Sequence, residues 1–310
     1  MTTNLCDRVF GTLRSATHTS MTQAAQPIPD NALPPTRGDE RNPQDTKLQL
    51  IGRLRPELLY GQYGIRENPF GVTPNPRYLY ESRTHTEARS SLIAGIECGV
   101  GFQALIAPPG MGKTTILLSV LELFKDVART AFLFQTQGDS RDFLRYLLLD
   151  LDCDAHDADR VRMQDALNQL LIREHRAGRH TLIVIDEAQS LDVSVLETIR
   201  LLSNFETPRE KLLQIILAGQ PPLAQRLANP ELAQLSQRIS ILRTLVPFGL
   251  QDTINYIDHR LHVAGYQGAP LFTPEAVKLI SERSGGISRR AGRRSKTGTN
   301  PGGRTGHPPR

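Results

Sequence analysis

A glycine-rich loop that ends in a lysine constrains this chain more than any other feature. The loop follows an apolar run, residues 102–107, that predicts a buried strand, and it precedes a segment with apolar residues at helical spacing. In such a strand–loop–helix unit, backbone N–H groups and the positive helix end face phosphates, and Lys113 would reach the terminal phosphates. Thr114 would place its hydroxyl on Mg²⁺. The residues expected to bind phosphate are Pro109, Gly110, Met111, Gly112, Lys113, Thr114 and Thr115.

A second motif supplies two acids. Four apolar residues, 182–185, end in Asp186 and Glu187, as a buried parallel strand that ends at a crevice would. We expect Asp186 to hold hydrated magnesium and Glu187 to activate an attacking water molecule. Ala107 stands where the usual loop pattern has glycine, but this position shapes the turn and lies away from the phosphates. The two motifs together predict a nucleoside triphosphate site.

Composition narrows the class of protein. The 310 residues have room for about two compact units, and 39% hydrophobic residues suit an ordinary α/β protein. No run approaches the roughly 18 apolar residues of a membrane span, and the N-terminus lacks the apolar core of a signal peptide. The three cysteines lie far apart, which favours a reducing compartment without disulfides or a zinc cluster. We therefore expect a cytoplasmic protein without a transmembrane segment.

The positive charge is concentrated at the C-terminus. Residues 289–310 contain six arginines, one lysine and no acid, and removing these charges from the net +5 leaves −2 for residues 1–288. Such a tail could bind nucleic acid, DNA included, or acidic lipid through counterion release. It could equally be a solvated end without a function.

The order of the predicted elements indicates the fold class. Apolar strands separated by helices predict a parallel sheet with helices on both faces, the α/β arrangement of P-loop proteins. Asp192 and Thr273 are predicted helix N-caps. The strands are expected at 102–107, 130–136, 182–185, 212–218 and 239–246. The expected domains are a disordered, proline-rich segment (1–59), a nucleotide-binding α/β domain (60–247), a partial helical lid (248–288) and a basic disordered tail (289–310).

Several further motifs resemble the general secretion pathway protein A ATPases, which belong to the AAA+ superfamily. The resemblance covers about residues 60–289, and its motifs occur in the family's order. They comprise residues 63–70, 73–76, the segment around His85, 101–102, 185–189, 202–206, 217–221, 235–239 and 284–287.

The resemblance implies roles for further residues. Gln220 matches the first sensor, a polar side chain that detects the γ-phosphate of ATP, and Arg238 matches the arginine presented to a neighbour's nucleotide. A homo-oligomer with an arginine finger in trans, a membrane partner from a secretion system and association with the inner membrane are therefore expected. Pro69 and Phe70 would lie near adenine. His85 is interpreted as a residue at a helix start, without a metal.

The chain departs from the family pattern after residue 287. In relatives, Gly-Gly-Ile-x-Arg begins a further apolar helix whose arginine contacts nucleotide. Here the glycine-rich, basic sequence that follows Arg289 predicts no such helix, so we expect a truncated lid and no sensing role for Arg289. The membrane span and cell-wall-binding module of full-length relatives are also missing, which weakens the export role more than the ATPase chemistry.

Two functions remain open at this point. The first is Mg²⁺-dependent ATP hydrolysis that drives conformational change in an oligomer. The second is an ATP-gated DNA-binding subunit of a transposition system. A helicase is rejected because too few residues follow Val246 for a second large α/β domain. A kinase is less favoured, because Glu187 beside Asp186 suits water as the acceptor of the phosphoryl group.

Overall fold

The computed structural model describes residues 60–61, 63–134, 138–153, 159–208 and 210–298. These residues fall into two compact units. One contains the described residues up to Asn68 together with Ala264–Gln267, and the other contains Pro69–Val263 and the described residues from Gly268 onwards. In the first unit, the Arg66 N–H donates to the Ala264 carbonyl at 2.8 Å. The predicted segment 1–59 and the end of the basic tail, 299–310, lie outside the described residues.

The described part of the second unit contains a parallel sheet of five strands in the order β2-β3-β4-β1-β5. Strands β1 and β4 are buried at every position because helices cover both faces of the sheet, which explains their continuous apolar sequence. The strands are β1 (Phe102–Ile106), β2 (Ala128–Phe134), β3 (His180–Asp186), β4 (Leu213–Gly219) and β5 (Ile241–Thr244). The predicted α/β fold class is confirmed, although β5 is shorter than the predicted strand.

Helices α1 (Arg83–Glu97) and α2 (Lys113–Phe124) contact one side of the sheet, and five others pack on the opposite side around one large apolar cluster. Aspartates begin two of the five, since the Asp139 and Asp159 side chains accept hydrogen bonds from first-turn amides. The five helices are α3 (Ser140–Asp150), α4 (Arg160–Arg176), α5 (Val193–Leu202), α6 (Pro221–Leu227) and α7 (Ala233–Ser236). Short 3-10 helices lie at Pro76–Tyr78, Ala188–Ser190 and Pro230–Leu232.

Three helices follow the sheet: α8 (Leu250–Val263), α9 (Pro274–Ser284) and α10 (Ser288–Gly298). Helix α9 begins as predicted, because the Thr273 hydroxyl accepts a hydrogen bond from the Ala276 N–H at 3.3 Å. Every helix in the described part of the chain is too short or too polar to span a membrane.

Helix α10 corrects the prediction that residues 289–310 form no helix. It packs against α8 and α9, and Ala291 and Ser295 on its inner side are fully buried. Gly292 permits the close approach, because a Cβ atom there would lie 2.9 Å from the Tyr256 hydroxyl. Packing against neighbours thus stabilises a helix that its own composition disfavours.

Candidate nucleotide-binding site

The two sequence motifs meet at one edge of the sheet. All five described strands are parallel, so the loop after β1 and the acids at the end of β3 lie at the same carboxyl edge. The Lys113 ammonium contacts the Asp186 carboxylate and lies 3.1 Å from Glu187 Oε1. Lys113 is only 5% exposed and Asp186 is fully buried. The structure therefore places the loop lysine against both acids.

The loop itself depends on two glycines. Gly110 and Gly112 both have φ of +84°, in the left-handed region that other residues rarely adopt. Gly112 is the N-cap of α2, and a glycine brings no side-chain acceptor to the first-turn amides. A helix N-terminus of this kind, beside a lysine, fits a phosphate group.

Thr114 and Asp186 provide oxygen atoms beside the lysine. The Thr114 hydroxyl donates to Asp186 Oδ2 at 2.7 Å, and the Glu187 N–H donates to Asp186 Oδ1 at 2.8 Å. A hydroxyl and a carboxylate are hard oxygen ligands of the kind that Mg²⁺ prefers. These two side chains therefore fit a magnesium ion that also contacts phosphate.

Glu187 is held by several polar groups. Its Oε2 atom accepts hydrogen bonds from Gln189 Nε2 at 2.6 Å and from Gln220 Nε2 at 2.9 Å. Burial raises the pKa of Glu187, but the Gln189 hydrogen bond, the Lys113 charge and the Gln220 hydrogen bond together outweigh burial and lower it. Glu187 is thus a carboxylate at neutral pH and can accept a proton.

The two residues implied by the resemblance have different positions. Gln220 follows β4, which lies between β1 and β3, so its side chain reaches Glu187. Arg238 lies between α7 and β5 and is not among the described residues that line the cleft. Lys211 chiefly lowers the pKa of Glu206, and the charge of Arg238 adds to this effect. Arg238 is therefore away from the site of its own chain.

A cleft of about 430 Å³ extends from the loop. Its charged end contains Lys113 and Glu187, and several aromatic side chains line it elsewhere. Phe70 lines the cleft, whereas Pro69 is buried and its carbonyl accepts a hydrogen bond from Arg260. The other aromatic lining residues are Tyr78, Tyr80, Phe134, Phe248 and Tyr256. A charged end joined to an aromatic wall suits a nucleotide.

Helix α10 also reaches the loop. The Gly110 carbonyl accepts hydrogen bonds from the Ser288 hydroxyl at 2.5 Å and from the Arg289 N–H at 3.0 Å. Arg289 lines the cleft. The helical lid therefore continues past residue 288, and Arg289, for which the sequence predicts no sensing role, lies at the cleft.

The sequence analysis missed the contacts of two residues. His85 is not simply a residue at the start of α1, because its Nε2 atom lies 2.8 Å from the Met111 carbonyl of the loop. Its Nδ1 atom lies 2.7 Å from the Ser82 hydroxyl. Gln189 was noted only as part of a motif, and the structure places its side chain between Glu187 and Gln220. Its position two residues after Glu187 was the available signal.

This sheet order, the lysine-tipped loop and the paired acids define a P-loop protein of the AAA+ class. In agreement, the family model described as an AAA domain matches residues 98–227. The chain belongs to the family of General secretion pathway protein A: it is 39% identical to that protein of Aeromonas hydrophila over 238 residues. The match covers 74% of this chain and 42% of that protein, so the chain spans less than half of the relative's length.

Solved structures share the fold at low sequence identity. The ORC2 protein of Aeropyrum pernix, in ADPNP–ADP complexes, has a TM-score of 0.58 and 17% identity, with 74% of this chain and 65% of that chain covered. Cdc6p from Pyrobaculum aerophilum has a TM-score of 0.57 and 16% identity, with 72% and 62% covered. These likenesses support the fold alone.

Proposed function

We propose that this chain binds ATP with Mg²⁺ and hydrolyses ATP to ADP and phosphate, and that nucleotide state controls assembly or the remodelling of a partner. The observation that carries the proposal is the contact of Lys113 with both Asp186 and Glu187 at the mouth of α2. A phosphate-binding helix end, a lysine and two acids form the arrangement with which P-loop enzymes bind and cleave a nucleoside triphosphate.

Each residue at this edge has a proposed role. Lys113 exchanges its contact with Asp186 for the phosphates, which the backbone N–H groups of residues 110–115 also bind. Thr114 and Asp186 would hold Mg²⁺, which supplies positive charge beside the phosphates when bound. Glu187 orients water and accepts its proton, which is possible because its lowered pKa keeps it ionised at neutral pH. Gln220 senses the γ-phosphate.

The proposal includes partners outside the single chain. Arg238 lies away from its own cleft, which suits an arginine finger that completes the site of a neighbouring copy. The relative's name, General secretion pathway protein A, supports a partner in a secretion pathway. A cytoplasmic location, with attachment to the inner membrane through that partner, belongs to the same proposal.

The Glu187→Gln variant tests the proposed chemistry. It should bind ATP about as well as the parent, because the amide keeps the size of the side chain. Its turnover should fall by roughly 10² or more through loss of the base. Equilibrium ATP binding and phosphate release measure the two quantities. Glu197→Gln, which alters an exposed acid on α5, is the control. Parent-like turnover in Glu187→Gln contradicts the role of Glu187.

A specific observation also favours the second function, ATP-gated DNA binding. Arg290 and Arg293 are exposed on α10, while Arg289 of the same helix lines the cleft. The helix that would contact DNA phosphates could thus respond to nucleotide. Filter binding of duplex DNA should then require ATP and weaken steeply with salt. This function is excluded if the filter retains no DNA at low salt. It is also excluded if an Arg290→Gln/Arg293→Gln variant retains as much DNA as the parent.

A further inference from the structure

Gln189 uses both ends of its side-chain amide at the candidate site. Its Oε1 atom accepts a hydrogen bond from the Gln220 N–H at 2.9 Å, and its Nε2 atom donates to Glu187 Oε2 at 2.6 Å. A backbone N–H can only donate, so the oxygen of the Gln189 amide must face Gln220 and the nitrogen must face Glu187. The neighbouring backbone thus fixes the orientation of the amide.

The surrounding structure holds Gln189 in this position. Its backbone carbonyl accepts a hydrogen bond from Arg226 Nη1 of α6 at 2.7 Å. Gly219 leaves room for the amide at the end of β4, because a Cβ atom there would lie 2.9 Å from Gln189 Oε1. Gln189 therefore connects the acid after β3 to the polar residue after β4.

These contacts make the two oxygen atoms of Glu187 unequal. Oε2 accepts from both Gln189 and Gln220, whereas Oε1 lies 3.1 Å from the Lys113 ammonium. If Lys113 moves to phosphate, Oε1 loses a charged partner while Oε2 keeps its two amide donors. Oε1 is then the oxygen free to accept a proton.

We propose that Gln189 is a positioning residue that anchors Oε2 of Glu187 and so presents Oε1 to the attacking water. This inference rests on the proposed function, because it assumes that Glu187 is the base. Gln189 acts through Glu187 and has no contact with the reacting atoms in this role.

Kinetics test the inference through two variants of Gln189. Gln189→Met removes both hydrogen bonds at similar length, whereas Gln189→Glu keeps an acceptor for Gln220 and loses the donor to Glu187. Both variants should keep the Kd for ATP within about threefold of the parent, because the phosphate contacts are unchanged. Both should lower kcat by roughly tenfold to 10²-fold, because the base is misplaced. Gln169→Met on α4 removes a similar glutamine–carboxylate hydrogen bond at an exposed position and should change neither quantity.

A mutant cycle separates positioning from a general structural effect. In a Glu187→Gln background, Gln189→Met should cause no further loss of turnover, because the residue through which it acts is already altered. An equal fold-loss in both backgrounds, or parent-like kcat in Gln189→Met, overturns the inference.

Thermal unfolding without nucleotide gives a second readout that does not depend on turnover. The Tm shifts of Gln189→Met and Glu187→Ala should be less than additive in the double variant, because the two single changes remove the same hydrogen bond. Additive shifts overturn the inference. If the parent hydrolyses no ATP above the Glu187→Gln level, the proposed function fails, and the unfolding cycle alone decides whether Gln189 anchors Glu187.

Discussion

Two glycines of the phosphate loop have the same φ of +84° but different neighbours. A Cβ atom on Gly110 would lie 2.8 Å from the Cβ atom of Arg289, inside van der Waals distance. A Cβ atom on Gly112 would make only ordinary contacts, the nearest at 3.7 Å from Leu79. The same substitution therefore separates the cost of the backbone angle from the cost of displacing α10.

We expect both Gly110→Ala and Gly112→Ala to lower the free energy of unfolding by about 1–2 kcal/mol, since an L-residue is strained at φ of +84°. The free energy of unfolding should fall further in Gly110→Ala than in Gly112→Ala, because α10 must also move away from the loop. Urea unfolding without nucleotide measures the difference between the two variants. Equal losses would show that the close contact with Arg289 relaxes without cost.

At the scale of elements, His85 connects helix α1 to the phosphate loop. The side chain is 1% exposed, hydrogen-bonds to Ser82 and the Met111 carbonyl, and packs against the Phe248 ring with centroids 5.4 Å apart. Burial lowers the pKa of His85, against the raising effects of the Met111 hydrogen bond and the charges of Glu81 and Asp252. His85 is therefore neutral at pH 7, with one ring N–H available for the loop.

Replacement of His85 should affect nucleotide affinity through the loop. His85→Ala should raise the Kd for ATP by roughly 3- to 10-fold, the effect of about one buried hydrogen bond. His85→Gln retains an N–H donor, so its Kd for ATP should rise less than that of His85→Ala. Calorimetric titration with ATP measures both, and an unchanged Kd in His85→Ala would show that Met111 needs no side-chain support.

The lowered pKa of His85 also predicts a pH effect on stability. The folded state binds fewer protons than the unfolded state, so stability is complete above the ordinary pKa of 6.5 and falls as the pH drops below it. His259 contributes in the same direction, since burial chiefly lowers its pKa. Unfolding curves between pH 5 and 8 should therefore depend less on pH in His85→Gln than in the parent. Equal dependence would contradict the prediction.

The elements that could be predicted from the sequence are those indicated by patterns among neighbouring residues. Strand β4 could be predicted because burial on both faces requires an unbroken apolar run. Lys113 could be placed because it comes directly after the glycine-rich loop that follows β1, and Asp186 because it ends the apolar run of β3. Helix α10 could not, since Gly292 disfavours a helix until Tyr256 packs against it. Likewise, the partner of His85 lies 26 residues away, and no short motif indicates that contact.

At the scale of the whole molecule, the site of one chain lacks the proposed finger. Arg238 is half-buried between α7 and β5, outside the described lining of the cleft. A full catalytic site would then require a second copy of the chain, and turnover should depend on protein concentration.

Mixing two inactive variants tests this dependence. Arg238→Ala should lower turnover by roughly 10³-fold or more, within the range for a missing arginine finger. Addition of Glu187→Gln subunits, which retain Arg238, should restore part of the activity. Arg243→Ala, an exposed arginine bonded to Ser91, is the control. A constant rate per subunit at all concentrations, with no recovery on mixing, would mean that Arg238 does not act between chains.

The ion pair of Lys113 and Asp186 affects how an empty site can be studied. Both side chains are withdrawn from solvent, so replacing the lysine by alanine would strand an unbalanced carboxylate in the interior, at a cost of about 3–5 kcal/mol. That is a large share of the stability of an average domain. A lysine-to-alanine protein would consequently differ from the parent in folding as well as in ligand affinity. Withholding nucleotide from the unaltered chain provides the cleaner reference.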